Sequence, residues 1–199
     1  MNNHQAHERL KALSIDYADT QRKKGPVKKR YKVILIVIIL LFSHLYEAWA
    51  QNAYAVHANI IYHFTKYINW PDEKKTGEFV IGVVGDTPLY DELKSFTSKR
   101  SAAGQPIVVK RFTSNSSDYN CHILFVADES SNSIKRIAAT TAGTPTLLVT
   151  ESEGLSRKGA CINFVLVDDH LKLEINKTNI ERRSLDIASE LLNLGIIVK

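Results

Sequence analysis

Residues 51–199 read as a single three-layer α/β domain, with a largely parallel sheet, helices on both faces, and a C-terminal antiparallel hairpin followed by a helix. Three observations predict it. Unbroken apolar runs of strand length at Phe79–Val84, Cys121–Ala127, Thr146–Thr150 and Cys161–Val167 have the character of strands covered on both faces. The first three are separated by helical patterns with turn residues at their ends, as a parallel sheet requires. Leu171–Ile175 then follows Asp168-Asp169-His170 at hairpin spacing and alternates apolar with polar residues.

Taken in order, the body opens with a helix over Ala53–Pro71. On it Val56, Ile60, Ile61, Phe64, Tyr67 and Ile68 fall within an arc of about 140°. Asn59, Tyr62, Lys66 and Asn69 lie opposite, and Trp70-Pro71 ends the helix, because a residue before proline is pushed out of the helical region. Such a face packs across the core. A charged turn, Asp72–Gly77, precedes the first strand. Gly85-Asp86-Thr87-Pro88 leads into a helix, with Thr87 as cap and Pro88 at the first helical position, where its missing N–H costs nothing. Leu89, Leu93 and Phe96 mark the inner face of that helix.

Ile107–Val109 is a short second strand, and Ser114–Asp118 a loop before the third strand, Cys121–Ala127. A helix around Asn132–Thr141 is broken by Gly143-Thr144-Pro145, and Thr146–Thr150 is the fourth strand. After the polar loop Glu151–Gly159 comes the hairpin. In its second strand Leu171, Leu173 and Ile175 form a dry face and Lys172, Glu174 and Asn176 a wet one, as at a sheet edge. A T-x-x-E capping box at Thr178 and Glu181 opens one last helix. Ile180, Ile187, Ala188, Leu191, Leu192 and Leu194 share its inner side, Arg182, Arg183, Asp186, Glu190 and Asn193 its outer side, and Gly195 closes it.

The formal charge of +5 sits entirely in the first 50 residues, which hold 9 Lys/Arg against 4 Asp/Glu, whereas 51–199 hold 17 against 17. A neutral body argues against a nucleic-acid partner. Residues 1–50 read as a leader. Lys23–Arg30 is a cationic segment, Val33–Phe42 an unbroken apolar one, and Ala48-Trp49-Ala50 an A-x-A cleavage site with cleavage after Ala50. The apolar core is much shorter than the roughly 20 residues of a spanning helix. Export is therefore expected, with an uncleaved membrane anchor as the alternative, since Leu41–Trp49 adds apolar length.

Cys121 and Cys161 form an even pair in an oxidising compartment, which permits a disulfide. Each also stands at the start of an apolar run and reads equally as a small buried hydrophobe. Adjacency of the two strand starts decides between them.

No catalytic constellation is legible, and no cofactor is expected. His57 and His63 are six apart on different sides of their helix, so they do not chelate as an i, i+4 pair would. His57 falls in the middle of the apolar arc, as a core or partner-facing residue. His122 lies inside a strand, and HExxH and CxxC spacings are absent. Gly82-Val83-Val84-Gly85-Asp86 lacks the third glycine of a dinucleotide loop. In a parallel sheet Asp86, Asp128, Glu129, Thr150 and Glu151 all follow carboxyl ends of strands, where ligands of open α/β sheets bind. They are the candidate ligand-binding residues, for a small cationic or polar ligand. The plainer reading is that they cap helices and solubilise loops.

A resemblance spans nearly the whole body. The helix Tyr62-x-Phe64-x-Lys66-Tyr67-x-x-Trp70-Pro71 is followed by Ile81-Gly82-Val83-Val84-Gly85-Asp86, Gly104-Gln105-Pro106-Ile107 and Cys121-His122-Ile123-Leu124-Phe125. Next come Leu148-Val149-Thr150 with Gly154-Leu155, then Ile162-Asn163-Phe164 and Leu173-Glu174-Ile175-Asn176. In order and spacing these resemble the YfiR family of bacterial periplasmic regulators. The resemblance implies a non-enzymatic periplasmic protein that binds and represses the periplasmic sensor region of a membrane protein, such as a diguanylate cyclase. Cyclic-di-GMP output then rises when repression is relieved. With only Cys121 and Cys161, the chain departs from the multi-disulfide pattern of relatives, and their redox control is not carried over.

The expected partner is thus a membrane sensor protein, with homo-oligomerisation left open. Tyr62, Lys66 and Trp70 on the first helix are the candidate partner-binding residues. The alternative is a soluble periplasmic small-molecule-binding domain.

Overall fold

The apolar arc of the first stretch forms helix α1 over 53–67 in the computed structural model, which describes residues 34–37 and 53–199. The proposed cleavage site at Ala48 and Ala50 lies outside the described residues. Ala58, Ile61 and Phe64 are fully buried, and Phe64 stacks on Phe164 at 6.3 Å. The helix stops three residues earlier than the pattern suggests. Ile68–Asn69 instead form a short strand, β1, that pairs antiparallel with β9 (Asp186–Ile187). The approach to Pro71 disfavours further helix, and β9 supplies hydrogen-bond partners.

Strands β2 (Phe79–Val84), β5 (Ile123–Val126) and β6 (Leu147–Thr150) are buried at every position, as strands covered on both faces must be. They form the centre of an eight-stranded sheet in the order β10-β8-β7-β6-β5-β2-β4-β3. Neighbours run parallel except for β3 (Ser101–Ala102) against β4 (Gln105–Phe112), and β7 (Ile162–Val167) against β8 (His170–Ile175). Helices α2 (Leu89–Thr97) and α3 (Ile134–Thr140) occupy the crossovers, and helices lie on both faces of the sheet. The expected fold class is the observed one.

Strand β4 is longer than its three β-branched residues suggest, because Lys110 and Arg111 continue it in register with β2 while pointing charge to solvent. Asp168 and Asp169 close the β7–β8 hairpin with φ of 51° and 59°, the left-handed pair of a two-residue turn whose twist matches the strands. Strand β8 is not the sheet edge, since β10 (Ile196–Ile197) pairs outside it.

The single final helix is replaced by α4 (Lys177–Glu181), β9, α5 (Ser189–Leu192) and β10. The cap is Asn176, whose Oδ1 accepts Asn179 N–H at 3.0 Å, rather than Thr178. The chain reverses at Ser184, with φ 55°, and so carries Leu185 and Leu191 into the core. Arg183 is inward rather than outward. Its guanidinium donates to Ala138 O at 3.5 Å and Thr141 Oγ1 at 3.3 Å, at the C-terminal end of α3, where the helix dipole favours a cation.

Cys121 and Cys161 are buried free thiols. Their strands are not adjacent, because β6 runs between β5 and β7. The Cys121 carbonyl accepts Thr146 Oγ1–H at 2.9 Å and Cys161 N–H donates to Leu148 O at 2.8 Å, so the two flank the same strand. Two inter-strand spacings put them about 9.5 Å apart, past the roughly 7 Å Cα separation that a disulfide bridges. The disulfide expectation is corrected accordingly, and these are the small buried hydrophobes of the alternative reading. Burial pushes the Cys121 thiol up to about 12.

Candidate functional site

Parallel pairing brings the carboxyl ends of the central strands level, with Val84 opposite Val126 and Val126 opposite Thr150. The five candidate ligand residues therefore do collect at one edge of the sheet. Their hydrogen bonds, however, run to one another's loops. Glu129 Oε1 accepts Asp86 N–H, Glu151 Oε1 accepts Asp128 N–H at 3.2 Å, and Asp128 Oδ1 accepts the Ser152 hydroxyl. Arg111 sits 3.3 Å from Asp86 Oδ1 and over the Tyr90 ring. Glu129 and Glu151 thus satisfy backbone donors that the loops after the strands leave unpaired.

Thr150 is fully buried behind this edge. Its hydroxyl donates to Asn163 Oδ1 at 2.6 Å, and Asn163 Nδ2 donates to Glu174 Oε2 at 3.0 Å, which also takes the Ser156 hydroxyl at 2.7 Å. Glu151 is the carboxyl of the set most enclosed by protein. Burial raises its pKa, tempered by the Asp128 N–H, and the Tyr54 hydroxyl from α1 reaches it. Thr87 acts as expected at the start of α2, accepting Leu89 N–H at 3.3 Å.

His57 lies at the start of α1. It is 9% exposed, its ring lies 4.3 Å from Phe164 and 5.5 Å from Tyr54, and neither ring nitrogen has a hydrogen-bond partner. Burial lowers its pKa to about 4. The helical pattern places it inward. Only the tertiary structure reveals Phe164 across from it. Among the described residues no group of three or more His, Cys, Asp or Glu is placed to hold a metal ion, and His63 is exposed on another side of α1.

The candidate partner surface is partly reassigned. Tyr62 and Lys66 lie on the outer side of α1, with the Lys66 ammonium 5.5 Å from the Tyr62 ring. Trp70 does not belong with them. It is 5% exposed, donates its indole N–H to His122 O at 3.2 Å, and meets the Phe79 ring edge-on at 5.0 Å. Two residues that the sequence did not suggest take its place. Phe96 lies 5.8 Å from the Tyr62 ring, and the Arg100 guanidinium covers Phe96 at 3.8 Å while standing 5.6 Å from Tyr62. The result is an aromatic pair flanked by cations, bridging α1 and α2. Phe96 reads as core from its spacing with Leu89 and Leu93, and Arg100 carries no local signal at all.

Among the described residues no helix is long and apolar enough to cross a membrane. A search of curated proteins finds no match to the chain. The family model described as YfiR/HmsC-like matches residues 54–196, from the first turn of α1 through the start of β10. That match takes in every strand of the sheet, both crossover helices and the hairpin, and the chain belongs to the YfiR/HmsC-like family.

Proposed function

We propose that this protein is a non-enzymatic periplasmic regulator that binds the periplasmic region of an inner-membrane signalling protein, such as a diguanylate cyclase, and holds it inactive. The observation that carries the reading is the family match over 54–196, because that family is one of periplasmic regulators of cyclic-di-GMP signalling. The face built from Tyr62, Lys66, Phe96 and Arg100 supports it. Aromatic rings and guanidinium groups are the side chains that anchor protein interfaces, and here Tyr62 stands on α1, Phe96 on α2 and Arg100 in the turn just past the end of α2.

Capture from detergent-solubilised inner membranes, with the protein as bait, tests the proposal. An inner-membrane signalling protein is retained by the wild type and lost when Tyr62→Ala and Arg100→Glu are combined. Retention of no such protein by the wild type, or equal retention by the double variant, counts against the reading and its surface respectively.

A further inference from the structure

Helix α1 is anchored unevenly along its length. Beyond His57 it is seated on the core by Ala58, Ile61 and Phe64, all fully buried. Ahead of His57, Ala53 and Val56 are exposed, and Tyr54 and Ala55 are only half-buried. His57 is thus the first buried side chain of the described helix. Its ring lies 4.3 Å from that of Phe164 on β7 and 5.5 Å from that of Tyr54, whose hydroxyl reaches Glu151. A segment with so few buried contacts opens more readily than the core.

The surroundings of the imidazole decide how that contact responds to acid. Both ring nitrogens are enclosed, and neither has a hydrogen-bond partner among the described residues. An imidazolium there would carry two N–H donors with no acceptor and lose its hydration. The other ionisable groups that line the same groove are Glu151 and Glu153 after β6, Asp169 in the hairpin and Glu174 on β8, with no lysine or arginine among them. None of them offsets that loss, because burial alone governs the ring and lowers its pKa to about 4. An imidazole freed into water takes its proton near the ordinary value of about 6.5. Acid therefore favours the freed ring. Glu151 opposes this in part, since burial raises the pKa of its carboxyl and acid favours its enclosed, neutral form.

We propose that His57 is an acid-released latch: on protonation its ring leaves Phe164, and residues 53–57 lift from β7 while the rest of α1 stays seated. The lifted state uncovers Phe164 and frees Tyr54, so the surface at the start of α1 differs between neutral and acidic media while the sheet is unchanged. The latch needs no membrane partner, and its failure leaves the partner reading untouched.

Native-state hydrogen exchange on the purified protein tests it, with each amide rate divided by the intrinsic rate at that pH. The amides of 57–61 report the latch, because in an α-helix they bond back to the carbonyls of 53–57. Acting alone, His57 raises the opening constant about fiftyfold from pH 7 to pH 4.5. With Glu151 opposing, protection at 57–61 falls at least about tenfold. Dilute urea leaves that protection unchanged, as a local opening requires. Strand β3, at the opposite edge of the sheet, keeps its protection. The imidazole C–H resonances of His57 titrate well below the ordinary histidine midpoint. His57→Phe, which suits the aromatic packing, loses the fall, whereas His63→Gln, on the exposed side of the same helix, keeps it. A fall of equal size in His57→Phe, a wild-type profile that is flat with pH, or an ordinary His57 midpoint overturns the proposal. Protection at 57–61 equal to that of β2 and β5 at every pH also overturns it, because the helix then opens only with the whole domain.

Discussion

His122 turns the one polar residue of an apolar run into a fixed joint. Its Nδ1 accepts Val80 N–H at 3.0 Å, so its Nε2 carries the proton and donates to Lys74 O at 2.8 Å. The ring stacks on Phe79 at 4.3 Å, and burial holds its pKa below the ordinary value. His57 is likewise kept neutral, at about 4 against 6.5. Both imidazoles therefore bind protons more readily in the unfolded chain. The stability they give is whole above pH 6.5 and is lost as pH falls toward the folded values. For His57 the loss reaches about 3 kcal/mol near pH 4. Urea midpoints measured from neutral pH to 4.5 should fall steadily for the wild type and less steeply for His57→Phe. Parallel profiles for the two proteins would rule out a neutral, buried His57. At this scale the sequence reveals which side of a helix a residue occupies. It does not reveal whether a nitrogen finds a partner, because Val80 and Lys74 lie 42 and 48 residues from His122.

At the scale of the element, strand β2 was legible as a covered strand, while the reason for its glycine was not. A Cβ on Gly82 would fall 2.8 Å from Leu124 Cδ1 and 2.8 Å from Phe112 Cε2, contacts supplied by the neighbouring strands on either side. Gly82→Ala should therefore cost about 1–3 kcal/mol through overpacking, although alanine is the commoner choice wherever space allows. Equilibrium unfolding in urea measures it, and an unchanged midpoint would mean that the sheet yields at no cost. The stretch after the hairpin, Thr178 to Gly195, departs from its helical pattern for a related reason. The spacing of Ile180, Ile187, Leu191 and Leu194 fits one long helix, yet Leu194 is 69% exposed and Ile187 lies in a strand. Helical periodicity over that stretch is outweighed by the chance to bury Leu185 and pair β9 with β1.

Across the whole molecule, four apolar runs sufficed to identify a parallel α/β sheet, because their burial on both faces is written into their composition. The two-residue strands were invisible. Strands β1, β3, β9 and β10 have no pattern of their own, and three of the four are paired by residues distant in sequence. This division has a kinetic counterpart. The amides of β2, β5 and β6 are enclosed by sheet neighbours on both sides and by buried side chains above and below, so they open only when the whole domain unfolds. The hairpin tip from Leu166 to His170 and strand β10 are exposed, and β10 is held by one neighbour. Native-state hydrogen exchange should place the central strands at the global unfolding free energy and the tip and β10 well below it. Equal protection of β10 and β2 would mean that the edge strand opens only with the whole domain.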